Sequence, residues 1–230
     1  MEMRFRRYVV WAAVAGSVAA SGVASASVAN AEEAAPGVTI QMLDHTASEA
    51  LHLLGEGAID MGVEARFDAP EWVCTQTLFQ SFIVAAAPRK HPVLAKAGIK
   101  PGSRIPPEIY CAIPQVLMSM DGGKTGTVDR VLADRGLQRR IAVTVPHFQA
   151  VALTVAESGL LGSLPIHFAR PLAKVLNLDL YLPPFDPPMV DVTLFWHRRL
   201  DGNAANAWLR NHVTKTLAFG PIEMTVPLKL

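Results

Sequence analysis

Beyond residue 36 the chain alternates short runs that carry an apolar residue at every second position with longer stretches whose apolar residues recur three or four apart. The first pattern predicts strands and the second amphipathic helices. Residues 38–43 read as a strand, and Asp44 to Thr46 then offers N-cap chemistry for a helix carrying Ala50, Leu51, Leu53 and Leu54, ended by Gly55 and Gly57. Residues 59–63 predict a second strand, and 72–78 and 81–87 two more, separated by Phe79 and Gln80. Pro101, Pro106 and Pro107 break the chain before a second series: strand 115–120, helix 125–135, strand 140–145, helix 148–157, strand 159–163 and a helix opened by Pro165. A strand at 178–182 precedes Pro183, Pro184, Pro187 and Pro188, after which 190–197 reads as a strand and 203–217 as a helix. Such alternation implies parallel strand pairing. Two proline-rich crossings around a central block predict two lobes, the outer one built from both flanks of the inner, with a ligand cleft between them.

Composition narrows the class. Half of the 230 residues are hydrophobic and 18% are charged, which excludes whole-chain disorder, coiled coil and collagen. The formal charge of +1, from 21 basic and 20 acidic residues, leaves no basic footprint for neutralising phosphates, so direct nucleic-acid binding by this chain is not expected. The first 34 residues stand apart. Arg4, Arg6 and Arg7 precede an uncharged run from Tyr8 to Ala31, with a small-x-small step before Glu32 and Glu33. That order is the pattern of a secretory signal peptide. An Ala-rich amphipathic helix, or translated sequence upstream of a damaged gene, gives the same composition, and the serines at 17, 21, 25 and 27 argue against a permanent membrane span. The location therefore stays open between the cytoplasm and the periplasm or exterior.

The candidate chemistry lies where strands hand over to helices. In open α/β folds ligands sit beyond the carboxyl ends of parallel strands, where free amides at helix N-termini favour anions. Residues 119–127 form such a turn, with hydroxyls at Ser119, Thr125 and Thr127. The segment Gly123-Lys124-Thr125 matches the end of a P-loop, but Met118 stands where that pattern needs glycine, so a carboxylate suits the turn better than a nucleotide. An ordinary glycine turn with a threonine N-cap explains the same residues equally well. At the next junction, His147 either hydrogen-bonds a ligand, with Phe148 as an aromatic wall, or caps the helix while Phe148 is buried. From the first lobe, Gly62 to Phe67 follows a strand and faces the cleft, unless Gly62 only permits a tight turn. Enzyme signatures are absent: Ser163 lacks the glycine spacing of a nucleophile elbow, and no His-Glu-x-x-His pair occurs. Cys74 and Cys111 cannot make a zinc site by themselves, and no cofactor or metal is expected. The remaining histidines are scattered and read as surface or structural residues, His91 in an exposed turn.

Several segments resemble the effector-binding domain of LysR-type transcriptional regulators. The first-lobe pieces are Leu53 to Val63, Leu78-Phe79 and Ala87-Pro88-Arg89-Lys90-His91-Pro92. The second-lobe pieces are Val116-Leu117-Met118-Ser119, Gly126-Thr127-Val128-Asp129, Gly136-Leu137 with Arg139-Arg140, Val145-Pro146-His147-Phe148 and Leu164-Pro165, and Trp196-His197 with Trp208-Leu209-Arg210 close the series. These are similar to the subgroup answering aromatic acids and flavonoid-like inducers. The resemblance implies a two-lobed periplasmic-binding-protein-like fold of type 2, each lobe a mixed α/β sheet flanked by helices. It assigns 35–110 and 190–217 to the first lobe, 111–189 to the second, 1–34 to a signal-like or replaced segment and 218–230 to a tail. It implies a first lobe incomplete at its N-terminus, because the family's winged helix-turn-helix, linker helix and opening strand and helix are replaced by residues 1–34. It favours Gly62, Phe67, Ser119, Thr125, Thr127, His147 and Phe148 as binding residues for a small organic, aromatic carboxylate, and a homodimer through the lobes, the latter weakened by loss of the opening helix. Where the subgroup often has histidine before the second-lobe strand this chain has Gln115, so the inducer's identity is not carried over. The expected function is a regulatory effector sensor; an exported solute-binding protein and a truncated gene remnant are the alternatives.

Overall fold

Residues 6–12, 39–217 and 219 are described in the computed structural model. They divide into two units: the described residues before Ser81 together with those from Val190 onward, and Ser81–Met189. The chain runs through the first unit as β1 (Arg6–Ala12), β2 (Thr39–His45), α1 (Ala47–Glu56), β3 (Met61–Ala65) and β4 (Val73–Ser81). The second unit holds β5 (Ile83–Pro88), α2 (Pro92–Lys96), α3 (Pro107–Ala112), β6 (Gln115–Met118), α4 (Thr127–Ala133), β7 (Ile141–Val145), α5 (Phe148–Ala156), β8 (Leu161–Pro165), α6 (Ile166–Leu176) and β9 (Leu178–Tyr181). The return is β10 (Val190–His197), a 3-10 turn at Arg198–Leu200 and α7 (Ala204–Thr216).

In the first unit the strand order is β2-β1-β3-β10-β4, with β1 parallel to both neighbours and β10 antiparallel to β3. Alternation along β10 sends Phe195 to one face, with Ala50, Leu54 and Ile59, and Leu194 and Trp196 to the other, with Leu209 and Val213 of α7. Helix α1 starts where the sequence predicts. The Thr46 amide donates to the Glu49 carboxylate at 2.9 Å, half of a capping box that the Glu49 amide completes on the Thr46 hydroxyl. Its last carbonyls are met by Arg199, which donates to Leu54 O and Gly55 O at 3.1 Å each.

The second unit has strand order β7-β6-β8-β5-β9. The β6, β7 and β8 strands are parallel, and β5 runs antiparallel to both β8 and β9. One face packs on α5 and α6 through Val84, Val116, Val151, Val155, Leu164 and Ala169, and the opposite face carries Ala85, Tyr110, Val128, Leu132 and Leu161. Both faces are covered, as a largely parallel core requires.

Three expectations change. Strand β1 supplies an opening strand to the first lobe, which is therefore not missing one: Val10 pairs with Leu43 on one side and Gly62 on the other. The β1 segment Tyr8-Val9-Val10-Trp11 is rich in strand formers, yet a short apolar run looks the same in a strand and in a leader. The rest of the signal-like segment, residues 13–34, lies outside the described residues, as does the tail from 218 onward except Phe219. The crossing into the second unit comes at Ser81 rather than after residue 110, because β5 finds both of its partners in the second sheet. Finally, α2 and α3, each with proline in its first turn, occupy a stretch expected to be only a break.

Candidate functional site

Strands β6 and β7 end side by side, with Met118 paired to Val145 and the Ser119 amide donating to Val145 O at 2.8 Å. Two strand-to-helix junctions, at Ser119 and His147, are thereby brought to one end of the sheet. The half-buried Ser119 hydroxyl donates to Asp121 Oδ1 at 2.8 Å, and the Gly123 amide donates to the same oxygen at 2.9 Å. Those two bonds, the Gly123 amide foremost, hold the Asp121 carboxyl below its ordinary pKa. Thr125 is exposed, and Thr127 is the first residue of α4, where the Gly126 amide before it donates to Asp129 at 2.7 Å. His147 is exposed at the N-cap of α5; its carbonyl accepts from the Val151 amide at 3.1 Å, and its side chain does not cap the helix.

Three expected binding residues are packing residues. Phe148 is 7% exposed and sits in the core with Phe168, ring centroids 6.0 Å apart, so it is no aromatic wall. Burying such a ring is worth about 1.5–3 kcal/mol, which decides its orientation. Gly62 lies in the middle of β3, where a Cβ would stand 2.3 Å from Phe195 Cζ; it is glycine because that ring crosses directly over the strand. Phe67 meets the same Phe195 edge-on at 5.3 Å. His91 is also corrected: it is 2% exposed, with Nε2 3.0 Å from Gly159 O.

A polar network under the same sheet was missed by sequence reasoning. Arg139 is buried and clasps Asp129 in bidentate fashion, Nε to Oδ1 at 2.8 Å and Nη2 to Oδ2 at 2.7 Å. Its Nη1 donates to Gln115 Oε1 at 2.9 Å and to Ser163 Oγ at 3.1 Å, and the Gln115 amide donates to Tyr110 O at 2.8 Å. Burial of Asp129 pushes its pKa up, but the Arg139 bonds and charge outweigh that and keep it lowered. Gln115 thus serves this network from a fully buried position. A buried guanidinium with this many partners ties α4, β6 and β8 together, and the signal for it was a lone pair of arginines directly before an apolar strand. Among the described residues no group of three His, Cys, Asp or Glu is placed to hold a metal, and no helix is long and apolar enough to cross a membrane.

Residues 13–218 match the family described as the LysR substrate binding domain. The chain is 26% identical to the HTH-type transcriptional activator NahR of Pseudomonas putida over 176 residues, covering 76% of this chain and 56% of NahR. It therefore spans about half the length of that relative. Among solved structures, the transcriptional regulator PA0477 from Pseudomonas aeruginosa superposes with a TM-score of 0.71 at 27% identity, over 92% of this chain and 65% of that one. The regulatory domain of MexT, a transcriptional activator in the same organism, gives a TM-score of 0.73 at 20% identity over 91% of this chain and 96% of that domain, a likeness of fold. With a mixed sheet in each unit and a family match running over most of its length, the chain belongs to the LysR substrate-binding-domain family.

Proposed function

We propose that this LysR-type effector-binding domain takes a small organic carboxylate at the C-terminal ends of β6 and β7. One observation carries the reading: the loop after β6 already holds a carboxylate, that of Asp121, on the Ser119 hydroxyl and the Gly123 amide. A ligand carboxylate exchanges for the Asp121 side chain, and the exposed His147 on the neighbouring strand end supplies a second polar contact. Benzoate-like acids are the class to test, following the resemblance. Calorimetry with such a panel is expected to show Ser119→Ala and His147→Ala each weakening binding roughly tenfold. Asp121→Ala is expected to strengthen it, by removing both a like charge and a competitor for the same donors. Equal affinity in all three variants and the parent would remove the site from this loop.

The near balance of 21 basic and 20 acidic residues supports a chain that does not read duplex DNA by itself, and a sequence-dependent gel shift with the purified chain would refute that. Self-association is proposed through the edge of the second sheet, where Val143 on the edge strand β7 is 39% exposed. Sedimentation of Val143→Lys is expected to shift towards monomer; an unchanged profile would exclude that edge.

A further inference from the structure

The second unit carries a groove of about 580 Å³ that none of the residues discussed above as binding candidates lines. Its wall includes Arg89, Lys90, Lys100, Gly98, Asp179 and Tyr181. We propose that this groove is a separate binding site for a small dianion, a phosphate group or a dicarboxylate.

Charge gives the sign. Three cationic side chains face one carboxylate, an excess of two positive charges in a concavity of ligand size. The carboxylate pairs only loosely with one of the cations. Asp179 accepts the Lys90 backbone amide at 3.1 Å, and its other oxygen stands 3.9 Å from Arg89 Nε, beyond hydrogen-bond reach, so the guanidinium keeps its donors for another acceptor. Arg89 remains 58% exposed along its side chain.

The floor supplies the second observation. Tyr181 is 2% exposed, and among the described residues its hydroxyl takes no hydrogen bond. Burial, and then the charge of Asp179, push its pKa up to about 12, so at neutral pH it is a phenol that can donate. Tyr181 lines the groove, so this phenol is a donor that an anion seated there would accept from. The backbone around the groove is also held in an uncommon form. Lys90 and Asn177 are the two non-glycine residues with positive φ among those described, at 58° and 54°, and the Arg89 amide donates to Asn177 O at 3.1 Å, so the two bends brace each other. Gly98, with φ of 70°, turns the chain just before Lys100, which also lines the groove.

The test is calorimetry of the full chain with inorganic phosphate and, separately, with succinate, at constant ionic strength set by chloride. Saturable binding is expected with a Kd of roughly 1 mM or tighter for at least one of the two probes. The tighter probe assigns the site to a phosphate or to a dicarboxylate. The double variant Arg89→Gln, Lys100→Gln is expected to weaken that binding at least roughly tenfold and Tyr181→Phe roughly three- to tenfold. Thermal melts establish that each variant is folded, and the exposed single change Lys100→Gln reads the site if the others are not. No saturable binding of either probe overturns the proposal. So does binding that the charge variants leave unchanged, and so does binding indifferent to Tyr181→Phe, which would mean an ion held only by surface cations.

Discussion

At the scale of single residues, the motif positions that look functional divide by what their neighbours demand. Gly62 shows the division most directly, because the Phe195 ring leaves a Cβ 2.3 Å of room. Gly62→Ala is expected to lower stability by about 1–3 kcal/mol through overpacking, read as a shifted denaturant midpoint with an unchanged slope. His167 is expected to contribute a pH dependence to stability. It is 8% exposed, with Nδ1 3.2 Å from Ser81 Oγ, and burial, helped by the charge of Arg170, lowers its pKa to about 4. The unfolded chain binds that proton nearer pH 6.5, so the unfolded state takes up protons first as the pH falls. The contribution of this group is expected to be full above about pH 6.5 and to be lost progressively down to about pH 4, by roughly 3 kcal/mol in all. In His167→Gln the unfolding free energy is expected to be flatter over that window; an equally steep fall would assign the dependence to other groups.

At the scale of elements, β1 is the element with most at stake. It is an interior strand, parallel to β2 and to β3, and it links them into one sheet. A proline there removes a ladder donor and cannot be accommodated as it would be on an edge. Val10→Pro is therefore expected to cost about 3 kcal/mol or more and to raise hydrogen exchange in β2 and β3, with little change in the second sheet. Unchanged protection of β2 would show that these strands hold together without β1. The short helices α2 and α3 make the complementary point. Their prolines punctuate the sequence as breaks, yet Leu94 and Tyr110 are buried in the second core, so tertiary contact rather than local propensity makes them helical.

At the scale of the whole molecule, the division at Ser81 and Val190 leaves the described residues of the second unit as one unbroken stretch of chain. Ser81–Met189 contains all five strands of its sheet, with a buried apolar cluster on each face. Expressed alone it is expected to fold cooperatively, because the burial that stabilises it is internal to the segment. A fragment without a sigmoidal melt would show that the flanking unit is needed. The same fragment holds the Asp121 loop and the Arg89 groove, so it separates their binding from anything the first unit contributes.

The alternation of apolar positions, the capping residues and the proline breaks were enough to read most strands and helices and the two-lobed α/β class from sequence, because these are local signals of period and of turn chemistry, while the family was legible only through the resemblance of its motif segments. Ser119 and His147 were legible as strand-end positions for the same reason. Which polar and aromatic residues are free to bind was not legible. Phe148 and Phe67 look like site aromatics until the core takes them, and Ser119 looks like an open donor until Asp121, two residues on, accepts from it. The Arg139 network joins residues from five places in the chain, and the Arg89 groove depends on two bends that meet only when β5 and β9 pair. Period and propensity fix what a segment forms, but whether a side chain is spent on packing, on a neighbouring charge or on a ligand depends on which distant residue arrives beside it, and only the tertiary structure decides that.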